Sequence, residues 1–400
     1  MIDFLTILQL LGWLAVGIAL YIFLATAGFD LGGGILVPFT GKTDDERRAI
    51  INVMAPTWDG NQVWFIAFGG LLFAVWPRVY AASFSGLYLA VLLILWALFL
   101  RPVAFEYRSK FLSQKVRYFW DWMLALGSFL TIFALGIAVG NIFLGFPFAF
   151  NPETLRFYYG SQANQFIMEP AVLSLLKLFS PFAILMAIFT VVLSIMHGAC
   201  YISLRTTGHL YHRFKSIVKV TTILFLALFI IISIWLIFLP GYHWNPNATL
   251  THLSDGIYHP INGAIVTVTG GGWYANYTMH PWMVLAPALA ILGALGILYY
   301  LNKNATKEMF VMSMLSVLGS ILTLALSIFP FIMPSSLMPN QSLVIWNATS
   351  SKASLIGILI VAVVMLPIIF AYTRFVYRKM WPNNRKITTE EVQANTHIFY

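Results

Sequence analysis

The sequence predicts an all-α protein that crosses a membrane about nine times. Hydrophobic residues make up 60% of the 400 residues and charged residues only 9%, which leaves too much apolar surface for a water-soluble fold to cover. Nine apolar runs are each long enough to cross a hydrocarbon core, which takes roughly 20 helical residues. The basic residues fall between these runs rather than along one face, so the formal charge of +9 does not indicate nucleic-acid binding.

The predicted spans form one integral-membrane domain over residues 1–400. The chain starts without the basic segment of a cleavable signal peptide, so we expect the first run to be retained as a helix. The second and third runs are nearly continuous and are divided between Arg78 and Ser83, because about 40 residues of unbroken helix would exceed the thickness of a bilayer. The spans are predicted near Phe4–Gly28, Val63–Ala82, Ser83–Leu100, Phe119–Phe143, Ser180–Leu204, Val220–Leu239, Met283–Leu301, Met309–Ile332 and Leu355–Tyr372.

The distribution of Lys and Arg orients these spans. Most of the 23 basic residues fall in alternate connections and in the tail, and basic residues are enriched in cytoplasmic loops. We therefore expect an external amino terminus, an external loop over residues 240–282, and a cytoplasmic tail over residues 381–400. Within the tail, Thr388 lies three residues before Glu391 and is expected to cap a short helix.

Ionisable groups at membrane depth are costly and therefore point to function. Asp30 is the only charged residue from Phe4 to Phe39, a run too long for one straight crossing. This helix must tilt, emerge or break, and Gly32–Gly34 is the natural place for a break or for the close approach of another group. Asp121, between two tryptophans, is interpreted as an interfacial acid. Four acids lie in or beside the spans: Asp30, Asp59, Glu106 and Asp121.

Asp59 comes directly before the second predicted span. Its carboxylate either is the N-cap of that helix or opens a polar path beside Asn61 and Gln62. Arg101 ends the third span, so Asp30, Asp59 and Arg101 are all expected near the cytoplasmic surface. Ion pairing or a proton relay is possible there. Asp30 alternatively marks only the cytoplasmic exit of the first helix.

The residue types argue against a haem or metal site on this chain. A b-type haem in a membrane commonly uses axial His ligands, and His197 is the only His inside a predicted span, so it is interpreted as a packing residue. The single Cys, Cys200, excludes an intrachain disulfide and a thiolate cluster. We therefore expect no metal, no haem and no catalytic residue of a complete active site on this chain.

Six segments form an ordered pattern that runs from the first helix to the tail. Each is weakly specific alone, but the ordered set resembles subunit II of bacterial cytochrome bd quinol oxidases. The second segment includes Trp58-Asp59-Gly60-Asn61-Gln62-Val63-Trp64. The six are Gly28–Gly34, Arg48–Trp64, Trp76–Ala82, Arg101–Lys110, Phe329–Ser336 and Trp346–Ser351.

The resemblance implies the smaller subunit of a terminal oxidase that oxidises quinol, reduces oxygen to water and generates a proton motive force. It places the chain in the bacterial inner membrane with a periplasmic amino terminus, in two four-helix bundles plus one peripheral helix. Haems b and d would belong to the larger subunit I, against which this chain packs. Small single-span accessory peptides are further implied partners, and some members hold a structural quinone.

By motif, the resemblance implies a proton path through this chain. Asp59 would be the entrance leading across the subunit boundary to the oxygen-reducing haem, and Asp30, Trp58 and Arg101 would support it. Two other functions stay open on the sequence. One is a proton-coupled secondary transporter, which would place acids on broken helices near the membrane midplane. The other is a purely structural assembly subunit in which Asp59 is only a helix cap.

Overall fold

Long helices that run between two ends of the molecule dominate the structure, a computed structural model that describes residues 3–151, 153–244, 266–382 and 385–394. Eight of the helices within these ranges are long and apolar enough to cross a membrane. In chain order the helices are α1 (Phe4–Thr40), α2 (Asp44–Met54), α3 (Trp58–Val75), α4 (Pro77–Gly86), α5 (Tyr88–Tyr107), α6 (Gln114–Leu144), α7 (Ala171–Lys177), α8 (Pro181–Arg205), α9 (Gly208–Phe238), α10 (Ala275–Met279), α11 (Leu285–Asn302), α12 (Thr306–Ile328), α13 (Lys352–Met380) and α14 (Thr389–Ala394).

The second predicted span is not one straight helix. The helices α3 and α4 meet at Trp76 and are bent by 116° relative to each other. Pro77 is the first residue of α4, where its missing N–H is not needed, but a proline at this point prevents α3 from continuing. The predicted boundary between Val63–Ala82 and Ser83–Leu100 is therefore wrong. The described residues therefore contain eight spanning helices, or nine if α3 and α4 are counted together as one bent span.

The spanning helices form two groups of four and one outlying helix. The helices α1, α3, α5 and α6 pack together, and α8, α9, α11 and α12 form the second group. The two groups meet where α8 packs against α1 and α6. Helix α13 lies outside both, against α1 and α3, and most of its surface is exposed. This arrangement confirms the two bundles and the peripheral helix.

Helix α1 approaches its neighbours closely because it carries three consecutive glycines. It is continuous over 37 residues, so the chain does not break at Gly32–Gly34. A Cβ atom at Gly32 would lie 1.8 Å from the carbonyl oxygen of Ser194 on α8. A Cβ atom at Gly34 would lie 2.4 Å from the hydroxyl of Ser128 on α6. The missing side chains let the two bundles meet at α1.

The two ends of the molecule differ in structure. The α2 end carries α2, α14 and the connections α5–α6, α8–α9 and α11–α12. The hydroxyl of Thr388 accepts a hydrogen bond from the Glu391 N–H at 3.1 Å, as expected for the short helix α14 in the tail.

The opposite end, the hairpin end, carries three two-stranded antiparallel hairpins. Two of its strands, with α10, occupy the predicted loop 240–282, of which residues 245–265 lie outside the described ranges. The paired strands are β1 (Phe148–Asn151) with β2 (Arg156–Tyr159), β3 (Pro240–Trp244) with β4 (Val266–Gly270), and β5 (Phe331–Met333) with β6 (Leu343–Val344).

Replacing Gly32 by Ala is expected to destabilise the protein by about 1–3 kcal/mol or more, because the added methyl group overlaps the α8 backbone and forces the bundles apart. Thermal unfolding of the purified protein in detergent, followed by the loss of helical circular dichroism, measures this. Gly17→Ala on the same helix is the matched control, since nothing lies within 4 Å of a Cβ there. Equal unfolding temperatures for the two variants would contradict the role of Gly32.

Candidate functional site

A buried polar site lies in the first bundle, toward the α2 end. Asp30 on α1 is fully buried, and its Oδ2 accepts a hydrogen bond from Nδ2 of Asn61 on α3 at 2.5 Å. Asn61 Oδ1 accepts a hydrogen bond from the hydroxyl of Tyr377 on α13 at 2.7 Å. Three helices therefore contribute to one chain of hydrogen bonds that ends on a carboxylate inside the bundle.

Arg101 on α5 is the basic residue whose charge acts on Asp30. Its side chain is only 1% exposed, and none of its three guanidinium nitrogens donates to a protein acceptor among the described residues. Asp30 Oδ1 likewise has no protein partner in this part of the chain. Because buried polar atoms are nearly always satisfied by protein or by ordered water, these atoms define a place where water or a polar group of a partner fits.

Aromatic rings close one side of this polar site. Trp58, the first residue of α3, stacks on Phe105 of α5 with ring centroids 4.9 Å apart and an interplanar angle of 8°. The guanidinium carbon of Arg101 lies 5.9 Å from the centroid of the same Phe105 ring. Trp58 therefore contacts the polar site indirectly: it stacks on Phe105, and Phe105 lies beside Arg101.

Asp59 lies at the surface, apart from the buried site. Its side chain is exposed, and within the described residues it forms no hydrogen bond or ion pair. The N-cap of α3 is Thr57, so the interpretation of Asp59 as the N-cap is wrong. In the first turn of α3, its charge still interacts favourably with the helix dipole. The structure thus brings Asp30 and Arg101 together, places Trp58 beside them, and leaves Asp59 exposed two residues before Asn61.

Two further residues complete the site: Asn61, which was named only as a neighbour of the polar path at Asp59, and Tyr377, which was not predicted. Asn61 had a local signal, since it follows Asp59 by two residues in the sequence. Tyr377 had none, because it lies 316 positions from Asn61 at the end of the last span. An aromatic hydroxyl at a span end is typical of interfacial anchoring. Only the packing of α13 on α1 and α3 shows its contact with Asn61.

A separate cluster of ion pairs holds the α2 end together. Asp121 is fully buried and accepts hydrogen bonds from Nε of Arg47 at 2.8 Å and from Nε of Arg108 at 2.5 Å. Arg108 also donates to Asp44 at 2.7 Å, as does Arg117 at 2.8 Å. Asp121 therefore lies at the α2 end, where an interfacial acid is expected, but its carboxylate is buried in ion pairs within the protein. It is a buried structural acid that joins α2 to α6 and to the end of α5.

Two acids of α2, outside the spanning helices, are held in their ionised form. Partial burial acts to raise the pKa of Asp44, but the charge of Arg108 and hydrogen bonds from Arg117 and Arg108 outweigh it, so its pKa is lowered. Burial likewise acts to raise the pKa of Glu46, and hydrogen bonds from Arg213 lower that pKa overall. Both acids therefore stabilise the fold above about pH 4, and this contribution is lost as the pH falls through their lowered pKa values.

His197 packs between the two bundles. Its Nδ1 lies 2.8 Å from the hydroxyl of Ser313, and its Nε2 lies 3.0 Å from the carbonyl oxygen of Ala25. The imidazole also stacks on Phe310, with centroids 5.2 Å apart. Both ring nitrogens are thus engaged by protein, which agrees with a packing residue. Across the described residues, no group of three or more His, Cys, Asp or Glu side chains could hold a metal ion.

A large apolar cavity of about 1420 Å³ lies in the first bundle, lined mainly by α1, α3, α5 and α6. The indole of Trp76, at the break between α3 and α4, lines this cavity. Its Nε1 is buried and has no hydrogen-bond partner in the described part of the protein. A cavity with an almost wholly apolar lining and the unpartnered indole N–H of Trp76 in its wall fits a long hydrocarbon ligand that carries a hydrogen-bond acceptor.

The fold and the polar site define a polytopic membrane protein with a buried carboxylate near one membrane face. Comparison with known families then identifies the class more closely. Residues 8–380 match the family described as cytochrome bd terminal oxidase subunit II. The chain belongs to this family, as the ordered segments of the sequence predicted.

Similar proteins support the same conclusion over the whole chain. It is 40% identical to the cytochrome bd-I ubiquinol oxidase subunit 2 of Escherichia coli over 401 residues, which covers 100% of both chains. It is 38% identical to the probable cytochrome oxidase subunit 2 of Haemophilus influenzae, again over 100% of both. The solved bd oxidase of Geobacillus thermodenitrificans shares the fold, with a TM-score of 0.67, 13% identity, and 94% of this chain and 99% of that chain covered.

Family membership makes this chain one subunit of a cytochrome bd terminal oxidase, an oxidoreductase complex. A second subunit, subunit I, belongs to that complex. The chain is a multi-pass protein of the bacterial inner membrane.

Replacing Arg108 by Ala is expected to destabilise the protein by about 3–5 kcal/mol, because Asp121 would be left buried without its main counter-charge. Thermal unfolding in detergent measures the loss. Arg385→Ala, which removes a partly exposed ion pair with Glu391 in the tail, is the control and should cost less than about 1 kcal/mol. A loss for Arg108→Ala no larger than that of the control would show that the cluster is not structural.

Proposed function

We propose that this chain carries protons from the cytoplasm toward the oxygen-reducing site of subunit I, through the polar site around Asp30. The proposal depends above all on one observation. Asp30 is fully buried in a membrane bundle, with one carboxylate oxygen held by Asn61 and the other without a protein partner. An ionisable group in this position is costly and is usually retained for function.

The geometry gives each residue of the site a distinct role. Asn61 holds one oxygen of Asp30 in place, which leaves Oδ1 as the atom that takes up and releases the proton. The charge of Arg101 compensates the carboxylate when the proton has left. Water hydrogen-bonded to Asp30 Oδ1 and to Arg101 would carry the proton onward, since both present free polar atoms. Trp58 and Phe105 cover the site and exclude bulk solvent.

Asp59 would collect protons at the surface for this site. It is the exposed acid of the same helical turn that carries Asn61, and an exposed carboxylate exchanges protons rapidly with water. The positive-inside rule places the α2 end in the cytoplasm, because basic residues of α2 and of the α5–α6 and α8–α9 connections gather there. With that orientation, a periplasmic amino terminus and a cytoplasmic carboxyl terminus follow.

Subunit I would dock on the face formed by α3, α5 and α13. Helix α3 exposes three apolar side chains at helical spacing, on the part of the helix that follows Asp59: Val63, Ile66 and Phe73. Nothing lies within 4 Å of a Cβ built at Gly60, Gly69 or Gly70, and such small residues let a partner helix approach closely. This face would put Asp59 and the Asp30 site next to the partner.

The electron-transfer chemistry would then belong to subunit I. Haems b and d, the oxidation of quinol and the reduction of oxygen are assigned to that subunit, and no catalytic residue to this one. The complex would act as a translocase that generates a proton motive force, and small single-span peptides would complete it. The lack of a free axial nitrogen on His197 supports this division.

The apolar cavity fits the isoprenoid chain of a structural quinone. Its lining is almost wholly apolar, and the free Nε1 of Trp76 is placed to donate to a quinone carbonyl oxygen. Such a quinone would fill the space between α3 and α5 and hold α5 to the bundle.

A purely structural role is the second candidate, and the exposed and unpaired position of Asp59 favours it. A secondary transporter has less support, because Asp30 and Arg101 lie together toward the α2 end and not at a broken helix near the membrane midplane.

Asp30→Asn is expected to lower the turnover of the assembled oxidase about 100-fold or more, because Asn cannot take up a proton, while the haem spectrum stays intact. Asp59→Asn should lower turnover less. Oxygen consumption with a soluble quinol, normalised to haem content, measures both. Glu153→Gln at the hairpin end, where the acid is exposed, is the control. If Asp30→Asn kept wild-type turnover, the proton path would be contradicted and the purely structural role would remain. If Asp59→Asn kept wild-type turnover, Asp59 would not be part of the path.

Trp76→Phe is expected to lower the amount of quinone that co-purifies with the complex, because the ring is kept and only the N–H donor is lost. Solvent extraction and chromatography of the purified complex measure the quinone per haem. Trp282→Phe, at an exposed position of the hairpin end, is the control. An unchanged quinone content in Trp76→Phe would contradict the assignment of this donor.

A further inference from the structure

We propose that Tyr377 is a positioning residue: by donating its hydroxyl proton to Asn61, it keeps the amide N–H group of Asn61 turned toward Asp30. The inference rests on the proposed role of Asp30 in proton transfer. It gives the peripheral helix α13 a direct part in the polar site of the first bundle.

The Asn61 amide makes a hydrogen bond at each of its two ends. Nδ2 lies 2.5 Å from Asp30 Oδ2, and Oδ1 lies 2.7 Å from the hydroxyl of Tyr377. An ionised carboxylate only accepts hydrogen bonds, so Asn61 must present its NH₂ group to Asp30. Its carbonyl oxygen then faces Tyr377, and the Tyr377 hydroxyl must be the donor. The reversed amide would place two acceptor oxygens against each other at Asp30.

The position of Tyr377 is itself fixed by contacts one helical turn further along α13. Trp381 is buried, and the guanidinium carbon of Arg205 on α8 lies 4.5 Å from the centroid of its ring. The same guanidinium lies 5.7 Å from the ring of Tyr201, one turn earlier on α8. The N–H of Ile387 donates to the carbonyl oxygen of Arg205 at 2.8 Å, so the tail closes over this contact. The carboxyl end of α13 is therefore anchored to α8.

This anchoring contrasts with the rest of α13. Most of that helix is exposed, and of its residues only Leu355 and Ala362 are buried. A helix that served only to cover the bundle would not need a polar side chain turned inward at its anchored end. The inward hydroxyl of Tyr377 is explained by the amide it orients, since without it Asn61 Oδ1 would lie in the bundle with no donor and the amide could rotate.

Tyr377→Phe tests the proposal in the assembled oxidase, since it keeps the ring and removes only the donor. Turnover per haem is expected to fall by about tenfold to 100-fold, since a displacement of the reacting group by about 1 Å can cost about 100-fold. In infrared difference spectra, the carboxyl band that is absent in Asp30→Asn is expected to shift in frequency. Tyr372→Phe on the same helix, where the side chain is 66% exposed, should change neither. An unchanged Asp30 band in Tyr377→Phe overturns the proposal.

A double-mutant cycle separates positioning from an independent effect of Tyr377. If Tyr377 acts only through the amide, Asn61→Leu combined with Tyr377→Phe is no slower than Asn61→Leu alone. Losses that multiply in the double variant overturn the proposal. This test is independent of the proton role of Asp30. Wild-type turnover in Asp30→Asn would contradict that role, whereas the band shift in Tyr377→Phe would still show whether Tyr377 positions the carboxylate.

Discussion

The hydrogen bond between Asp30 and Asn61 is the contact on which the polar site depends, because it keeps a carboxylate inside an apolar helix bundle. Burying a single charge costs several kcal/mol, so the surrounding helices must compensate it. Helix α3 supplies the amide, α5 supplies Arg101, and α13 supplies the hydroxyl that orients the amide. The relative positions of these helices are therefore constrained by one buried acid on α1.

Close packing elsewhere holds α1 where this site needs it. The glycines at Gly32–Gly34 bring α1 against α8 and α6, and the ion pairs around Asp121 tie α2 to α6. The glycines lie just beyond Asp30 in the chain, and the ion pairs lie at the same end of the molecule. The fold thus surrounds the acid with closely packed neighbours, while the proposed docking face on α3, α5 and α13 is exposed.

The sequence predicted those parts of this arrangement that depend on residues close together in the chain or on single charges within apolar runs. The apolar runs predicted the spans, and Asp30 and Arg101 were found because charges at membrane depth are rare. Prediction failed where the cause is a distant contact. The bend at Trp76 was missed because hydropathy does not distinguish a crossing helix from one that turns along the surface, although Pro77 marked the place. The ion pair between Asp121 and Arg47 was not predicted, because the two residues are 74 positions apart.

A proton path through Asp30 requires that water, rather than a direct ion pair, links Asp30 to Arg101 inside the assembled oxidase. A high-resolution structure of the complex with subunit I tests it most directly. The account predicts Asn61 hydrogen-bonded to Asp30 and to Tyr377, with ordered water bound to Asp30 Oδ1 and to the guanidinium of Arg101. A direct two-point ion pair between Asp30 and Arg101, with no water at either group, would contradict it.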